Sequence, residues 1–407
     1  MPLSIERIET LLLVAAITAM LARRLGLPYT VGLVLAGLAI AFSPLHLAIP
    51  LTRRLLFGAL LPPLIFEAAL NIPWRGVRAD WPVMTVLATV GVLLSAVVVA
   101  GGMHLLAGWA WVSAWAFGAL IAATDPVSVI AALKEAGARG RFRLLAETES
   151  LLNDGTAAVL FALVLAGAAG RAAGPGGIAV SFLATTLGGV LAGALLAAVT
   201  LLLAGRTTDR LVEITFTTVA AYGSFMLAEH FGVSGVFATL TAGLLVGNLG
   251  PLGAISERGR EAVESFWEYV AFAANSIVFI LIGMTEARVR LGVLLPTALL
   301  AVLLVLVARA VAVYGGCGFF AGSAYRVLAR HQHLLWWGGL RGALALALAL
   351  ALPAGFPLHP QIVTVTFTVV AFSVIIQGLT IIPLLRRLGE LPPPPPRRAS
   401  SPQHADA

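Results

Sequence analysis

The sequence predicts an all-α polytopic membrane protein with about 13 transmembrane helices, arranged as two inverted six-helix repeats that each contain an interrupted helix. Three observations lead to this fold class. The mean hydropathy is +0.98, with 59% apolar and 11% charged residues, which lies far outside the composition of a soluble domain. Runs of about 20 apolar residues recur from Ile8 to Leu385 with short polar breaks between them. Basic residues gather at the ends of these runs, as they do beside membrane helices.

The composition also excludes several classes of function. The chain contains one cysteine, Cys317, so an intrachain disulfide, a thiolate metal cluster and a redox pair cannot form. The net charge of +7 comes from arginines scattered at segment ends, which is unlike a nucleic-acid patch. No metal-ligand set, nucleophile elbow or phosphate loop interrupts the apolar runs. We therefore expect neither an enzyme nor a cofactor, and no nucleic-acid partner.

Candidate spans follow when the chain is divided at glycine, proline and charge clusters, because a helix that crosses hydrocarbon must satisfy its backbone groups internally. The first span follows acidic residues and precedes two arginines, which reverses the charge order of a cleavable signal peptide, so we expect it to be retained. The predicted extents are residues 8–22, 28–43, 51–72, 82–106, 112–133, 145–168, 177–204, 211–229, 232–248, 265–284, 291–316, 334–353 and 361–385.

The distribution of arginine predicts the orientation. If the N-terminus lies outside and the spans alternate, most of the 26 lysines and arginines fall on the cytoplasmic side of the cell membrane, together with the C-terminus. Six spans, a connecting seventh and six more would start the second half on the opposite side of the membrane from the first. This topology is that of an inverted repeat. Residues 1–390 form the predicted transmembrane domain, and residues 391–407 (LPPPPPRRASSPQHADA) form a short disordered cytoplasmic tail.

Charged residues inside the predicted spans indicate function, because an ionised side chain at mid-bilayer costs at least about 2.5 kcal/mol. Four acids and two arginines leave a surplus of two carboxylates, and such a surplus attracts either a cation or a proton. The alternative is that these residues only form buried ion pairs that fix helix positions. The six residues are Glu67, Asp125, Glu149, Asp154, Arg309 and Arg341.

The sixth span carries the densest polar set, in the segment TESLLNDGTA. Glu149 and Asn153 are four residues apart on one helix face, and Ser150 and Asp154 are four apart on the adjacent face. Carboxylate, amide and hydroxyl oxygens are ligands for a hard cation such as sodium rather than for zinc or copper. With so few charged groups, a monovalent ion is more plausible than calcium.

Two predicted helices contain residues that interrupt a helix. In the fifth span, Pro126 follows Asp125 within an apolar run, and the carbonyl groups that it frees near Thr124 become possible ion ligands. In the twelfth span, the segment WWGGLRGALALAL surrounds Arg341 with glycines. These spans are equivalent positions of the two proposed repeats, and paired broken helices are the best sequence indication of a transporter's midplane site.

The ordered motifs resemble those of NhaP-type sodium/proton antiporters, members of the monovalent cation/proton antiporter superfamily. The similarity extends over nearly the whole chain. The motifs are LLPPLIFEAAL, TDPVSV, ESLLNDGTA, AYGSFMLAEHFGVSG, FWEYVAFAANSIVFILIG, RAVAVY and GGLRGALALALAL.

This resemblance implies a fold and a set of roles. The interrupted helices would cross, as in NhaA-like and NhaP-like proteins. A core domain, about residues 82–168 and 291–385, would move against an interface domain, about residues 8–72 and 177–284, which also forms a homodimer. Asp154 and Glu149 would hold the ion with Ser150 and the carbonyl of Thr124. An asparagine at the position of Asn153 is typical of family members whose exchange is electroneutral.

The same resemblance assigns Asp125, Glu67, Arg309 and Arg341 to ion pairs of the core, without deciding which acid pairs with which arginine. Glu213 and Glu229, near the ends of the eighth span, are expected to be interfacial, and Glu268 and Asn275 structural. The resulting hypothesis is a secondary transporter in lipid that exchanges sodium or lithium for protons, one for one, by alternating access. Its alternatives are a potassium/proton antiporter of the same fold, a cation channel and a non-transporting scaffold or sensor.

Overall fold

The computed structural model describes residues 5–25, 27–43, 51–125, 129–130, 133, 140–170, 174–286 and 294–391, and most of these residues are helical. The first seven helices are α1 (Ile5–Leu25), α2 (Tyr29–Phe42), α3 (Arg53–Leu55), α4 (Leu61–Leu70), α5 (Trp74–Val86), α6 (Val92–Ala107) and α7 (Trp111–Ile121). The next five are α8 (Arg141–Ala168), α9 (Pro175–Ala204), α10 (Arg210–His230), α11 (Gly235–Leu249) and α12 (Glu257–Glu286). The last five are α13 (Leu295–Phe319), α14 (Ala329–Gly338), α15 (Ala343–Leu350), α16 (His359–Phe372) and α17 (Gly378–Arg387).

Single turns of π-helix join three pairs of these helices. They are Leu56–Leu60 between α3 and α4, Leu87–Gly91 between α5 and α6, and Ser373–Gln377 between α16 and α17. Such turns often occur at functional sites because they release backbone groups and reorient side chains. In the third turn, the hydroxyl of Ser373 accepts a hydrogen bond from the backbone N–H of Arg341, at 2.8 Å.

Eight helical stretches within the described residues are long and apolar enough to cross a membrane. Helix occupies part of each of the thirteen predicted ranges, but several of these helices are short, and the count of thirteen crossings and the inverted repeat stay predictions. The eight stretches are Trp74–Ala107, Arg141–Ala168, Gly176–Ala204, Arg210–His230, Gly235–Leu252, Glu257–Thr285, Leu295–Phe319 and His359–Arg387.

Three helices begin earlier than predicted from hydropathy. The helix of the fourth span begins at Trp74 rather than at residue 82, α8 begins at Arg141 rather than at residue 145, and α12 begins at Glu257 rather than at residue 265. The added turns are rich in charged residues and carry ion pairs, such as the 2.7 Å bridge between Arg141 and Asp80. A division by apolar runs therefore misses them, because it detects the part of a helix that lies in hydrocarbon.

One helix of the bundle, α15, is composed only of apolar residues. Helix α15 has the sequence ALALALAL, and seven of its eight residues are buried. It packs against α7 and α16, and the long helix α8 lies beside them. Because small alanine side chains allow helices to approach closely, this packing brings the interrupted ends of α7 and α14 together at the middle of the bundle.

Candidate functional site

Two interrupted helices meet at the centre of the bundle. Helix α7 ends at Ile121, and α14 ends at Gly338, five residues before α15 begins at Ala343. The backbone N–H of Asp125 donates a hydrogen bond to the carbonyl of Leu340, at 2.7 Å, which forms an antiparallel bridge between the two chain segments. This contact confirms that both helices are interrupted where the sequence indicates. Pro126, to which the first interruption was attributed, lies outside the described residues.

A glycine permits this close approach. A side-chain carbon built on Gly342 would lie 2.5 Å from the β-carbon of Asp125 and 2.8 Å from its carboxyl carbon. Both separations are shorter than van der Waals contact, so a larger residue would push the segments apart. Glycine is therefore required at position 342 because of the close packing against Asp125, and not because of a positive φ angle.

Arg341 binds backbone carbonyls at the end of α7. Its side chain is 2% exposed, and one terminal nitrogen donates to the carbonyls of Ala122 and Ala123, each at 2.8 Å. These carbonyls belong to the C-terminal end of a helix, where the helix dipole favours a positive charge. In the described part of the chain, Arg341 therefore contacts helix-end carbonyls, and its predicted ion pair stays a prediction.

Glu149 and Arg309 form a buried, bidentate ion pair. The two terminal nitrogens of Arg309 donate to the two carboxylate oxygens of Glu149, at 2.8 and 3.0 Å, and both side chains are less than a tenth exposed. The Nε–H group of Arg309 donates to the carbonyl of Leu335 at 3.2 Å. The pair therefore ties α8, α13 and α14 together, and it answers which acid is the partner of Arg309. Glu149 was predicted to hold the cation, but both of its oxygens face this arginine.

Asn153 fastens the end of α7 to α8. It is fully buried, and its amide oxygen accepts a hydrogen bond from the backbone N–H of Thr124, at 3.1 Å. Its amide nitrogen donates to the hydroxyl of Thr124 at 2.6 Å and to the carboxylate of Glu149 at 3.1 Å. The amide group therefore bridges the interrupted segment and the ion pair, and its predicted contact with the cation would have to compete with these bonds.

Two further predicted ligands lie next to each other. The hydroxyl of Ser150 donates a short hydrogen bond to the carbonyl of Thr124, and both residues are almost fully buried. Because Ser150 lies one helical turn before Asp154 on α8, this pair of oxygens is on the same side of the helix as that carboxylate. The carbonyl and the hydroxyl oxygen thus face the region that Asp154 faces.

These residues line a cavity of about 270 Å³, the central cavity. One wall comes from α7's extended end, α8 and α15, and the other comes from α2, α4 and α12. The lining contains five carboxylates, and no lysine or arginine is present among the described lining residues. A concave surface with this excess of negative charge concentrates cations. The polar lining residues are Tyr29, Glu67, Asn71, Thr124, Asp125, Glu147, Ser150, Asp154, Glu268 and Asn275.

Asp154 is distinguished from the other carboxylates by its surroundings. Its side chain is half-buried and lines the central cavity, and it makes no hydrogen bond or ion pair with any residue that the structure describes. Glu67 in the same cavity instead accepts a hydrogen bond from the amide of Asn71, at 2.8 Å. A carboxylate left without a protein partner in a nonaqueous region must take a proton or a cation.

Sequence reasoning missed part of the lining of the central cavity. Asn71, Tyr29 and Glu147 were not considered, while Glu268 and Asn275 were expected to be structural, yet all five line the central cavity. The spacing of Glu67 and Asn71, four residues apart and one turn of helix, could have identified the first of them. The others depend on which face of α2, α8 or α12 is turned toward the cavity, which the sequence leaves open.

Comparisons with known proteins indicate a family for the chain. The family model described as the transmembrane sodium/hydrogen exchanger matches residues 11–387. A low-affinity Na⁺/H⁺ antiporter of Synechocystis, NhaS1, is 38% identical over 361 residues, which are 87% of this chain and 68% of the relative. The Na⁺/H⁺ antiporter ApNhaP of Aphanothece halophytica is 35% identical over 92% of this chain and 72% of its own length.

Two further matches come from a curated protein and a solved structure. The Na⁺/H⁺ antiporter NhaP of Pseudomonas aeruginosa is 36% identical over 81% of this chain and 80% of its own length. The sodium proton antiporter MjNhaP1 of Methanocaldococcus jannaschii superposes with a TM-score of 0.74 at 20% identity, covering 95% of this chain and 98% of that structure. The structural match supports the fold alone.

Proposed function

The chain belongs to the sodium/hydrogen exchanger family, a family of membrane transporters and not of enzymes, and we propose that it exchanges sodium or lithium for protons at Asp154. The observation that carries this proposal is the carboxylate of Asp154, which faces the central cavity without a partner among the described residues. In the proposed reaction, this carboxylate holds either one proton or one cation. Thr124 and Ser150 contribute the carbonyl and hydroxyl oxygens that a hard, monovalent cation prefers.

The charges around Asp154 support exchange of one ion for one proton. The negative charge of Glu149 is balanced by Arg309, and the side chain of Asn153 is neutral. In this polar cluster, Asp154 is then the group whose charge changes when it binds a proton or a cation. One proton and one sodium ion carry the same charge, so the loaded site has the same net charge with either ion. The exchange therefore moves no net charge across the membrane.

The two walls of the central cavity suggest how access alternates. The ion-binding wall belongs to the predicted core domain, and the facing wall of α2, α4 and α12 belongs to the predicted interface domain. We propose that the core moves against the interface domain when Asp154 is loaded, with the crossed helix ends keeping the site intact. Arg341 on the α7 carbonyls and Asn153 on Thr124 would hold these ends together during the movement.

The remaining proposals concern assembly and orientation. We propose that the chain forms a homodimer in the cell membrane through the interface domain, with its N-terminus outside and C-terminus in the cytoplasm. The apolar residues exposed along α9, such as Leu187, Leu191 and Leu195, are suited to lipid or to a second copy. The asymmetric distribution of arginine supports the orientation.

Transport in liposomes tests the proposed function. The purified protein is reconstituted with an imposed pH gradient and a trapped pH-sensitive dye, and sodium, lithium or potassium is then added. We expect sodium and lithium to dissipate the gradient with the wild-type protein and with Asp209→Asn, a change at an exposed helix cap. Asp154→Asn, which cannot bind a proton or neutralise a cation, should abolish the signal.

Each result has a distinct meaning. If the Asp154→Asn variant still dissipated the gradient, Asp154 would not be the ion-binding residue. A response to potassium alone would show that the protein is a potassium/proton antiporter. If a membrane potential changed the rate of the wild-type protein, the one-for-one stoichiometry would be wrong. Without any cation response in the wild-type protein, the transport function itself would fail.

A further inference from the structure

A second cavity lies at the opposite end of α8. It has a volume of about 280 Å³ and is lined by Arg53, Phe57, Phe161, Phe225, Glu229 and Leu348, among others. The central cavity is lined by residues 147–154 of α8, whereas the second cavity is lined by residues 158–165 of the same helix. By the predicted orientation, the second cavity is on the outer side of the membrane.

The wall between the two cavities is thin. On α8, Asp154 lines the central cavity and Ala158 lines the second, and on α15 the corresponding residues are Ala345 and Leu348. Four residues of helix rise about 6 Å. A shift of about one helical turn between the core and the facing helices would therefore open Asp154 to the second cavity.

The second cavity combines an apolar interior with two opposite charges. The rings of Phe57 and Phe225 lie 6.4 Å apart inside it, while Arg53 and Glu229 are exposed. The guanidinium carbon of Arg53 lies 5.8 Å from the centre of the Phe57 ring, one turn along the chain, and Arg53 and Glu229 line the same cavity. Stacking on the ring holds the guanidinium of Arg53 at this cavity, which Glu229 also lines.

We propose that Glu229 is the residue that first attracts the monovalent cation on the outer side, and that Arg53 is a tethered cation that competes with it. This inference rests on the proposed function and extends it to one face of the membrane. An incoming cation that approaches Glu229 in the second cavity is repelled by the positive charge of Arg53, which lines the same cavity. Arg53 therefore weakens cation binding from the outside and leaves binding from the cytoplasmic side unaffected.

Side-specific kinetics test this proposal. The apparent KM for sodium is measured separately on the outer face, in right-side-out vesicles, and on the inner face, in everted vesicles. Because interactions between exposed charges are worth up to about 1 kcal/mol, Arg53→Gln should lower the outer KM by about twofold to fivefold. Glu229→Gln should raise it by a similar factor, and both changes should leave the inner KM unchanged.

Matched variants separate this effect from a general change of surface charge. Arg54→Gln removes the neighbouring exposed arginine, which does not line the second cavity, and it should not change the outer KM. In the Glu229→Gln background, Arg53→Gln should have little further effect. Glu229→Asp should retain most of the wild-type outer KM, and the difference between Arg53→Gln and wild type should shrink at high salt, because salt screens exposed charges.

Several outcomes would overturn the proposal. An equal effect of Arg53→Gln and Arg54→Gln would assign the change to surface charge, and an equal shift of the inner KM would place the effect elsewhere. If Glu229→Gln does not fold, the Arg53→Gln measurement still decides, because an unchanged outer KM there contradicts a competing cation. Exchange by the wild-type protein with an unaltered outer KM in every variant would leave the proposed function standing and remove this inference alone.

Discussion

At the residue scale, the buried acids of α8 differ in their surroundings although they are close in sequence. Glu149 is paired with Arg309 and bonded to Asn153, whereas Asp154 faces the central cavity. Five positions are about one and a half turns of helix, so the two side chains point in different directions from α8. One acid therefore stabilises the core, and the other is available for a cation or a proton.

The ion pair leads to a prediction about stability. Glu149→Ala leaves the guanidinium of Arg309 buried without its counterion, which costs about 3–5 kcal/mol. We expect a large fall in the temperature at which the purified protein unfolds in detergent. The matched control is Glu264→Ala, which breaks the exposed bridge to Arg260, at 2.7 Å, and should cost less than about 1 kcal/mol. Equal losses in the two variants would show that the buried pair has no special structural role.

At the element scale, the interrupted helices depend on what approaches their broken ends. Ala122 and Ala123 offer carbonyls at the end of α7, and Arg341 supplies a charge from the facing segment. The backbone N–H of Asp125 donates a hydrogen bond to the carbonyl of Leu340 in the other segment. Each interruption is therefore stabilised by the other, and neither would persist alone in hydrocarbon, where unsatisfied backbone groups cost several kcal/mol.

Gly342 gives the prediction at this scale. Gly342→Ala places a methyl group against the carboxyl group of Asp125, so the crossing must open, and overpacking of this kind costs about 1–3 kcal/mol. We expect a lower unfolding temperature and a reduced exchange rate at saturating sodium. Gly315→Ala on α13 is the control, because the added methyl group meets no atom within 4 Å and alanine favours a helix. Wild-type stability and rate in Gly342→Ala would contradict the close packing at the crossing.

At the scale of the whole molecule, the central cavity separates two groups of helices. Its lining joins residues from α2, α4 and α12 with residues from the crossing, α8 and α15. The second cavity lies farther along α8, beyond a wall of about one helical turn. This arrangement supports our proposal that one site is exposed to the two sides of the membrane in turn.

Thiol labelling tests which face the central cavity is open to. In a Cys317→Ser background, Asn71→Cys and Asn275→Cys place single thiols in the central cavity, and Thr185→Cys places one in the second cavity. We expect a membrane-impermeant reagent to label the first two from the cytoplasmic face and the third from the outside. Sodium should slow labelling in the central cavity. Labelling of Asn275→Cys from the outside alone would reverse the proposed orientation.

The sequence by itself determined the kind of protein and its central polar residues. Hydropathy predicted the helical membrane fold. The charges within apolar runs singled out the acids of α8 and the two core arginines, because a charge in hydrocarbon is energetically costly. Both regions that the sequence marked, near Asp125 and around Arg341, contain a helix end in the described residues.

Only the tertiary structure decided the partners and the directions of these side chains. In the structure, Glu149 pairs with Arg309, and Arg341 donates hydrogen bonds to the carbonyls at the end of α7. Asp154 lines the central cavity together with residues from α2, α4 and α12. Helical spacing fixes which residues share one face, but the rotation of that helix against distant helices is set by packing between segments far apart in sequence. Contacts between such segments therefore divided the acids into an ion pair and an open carboxylate.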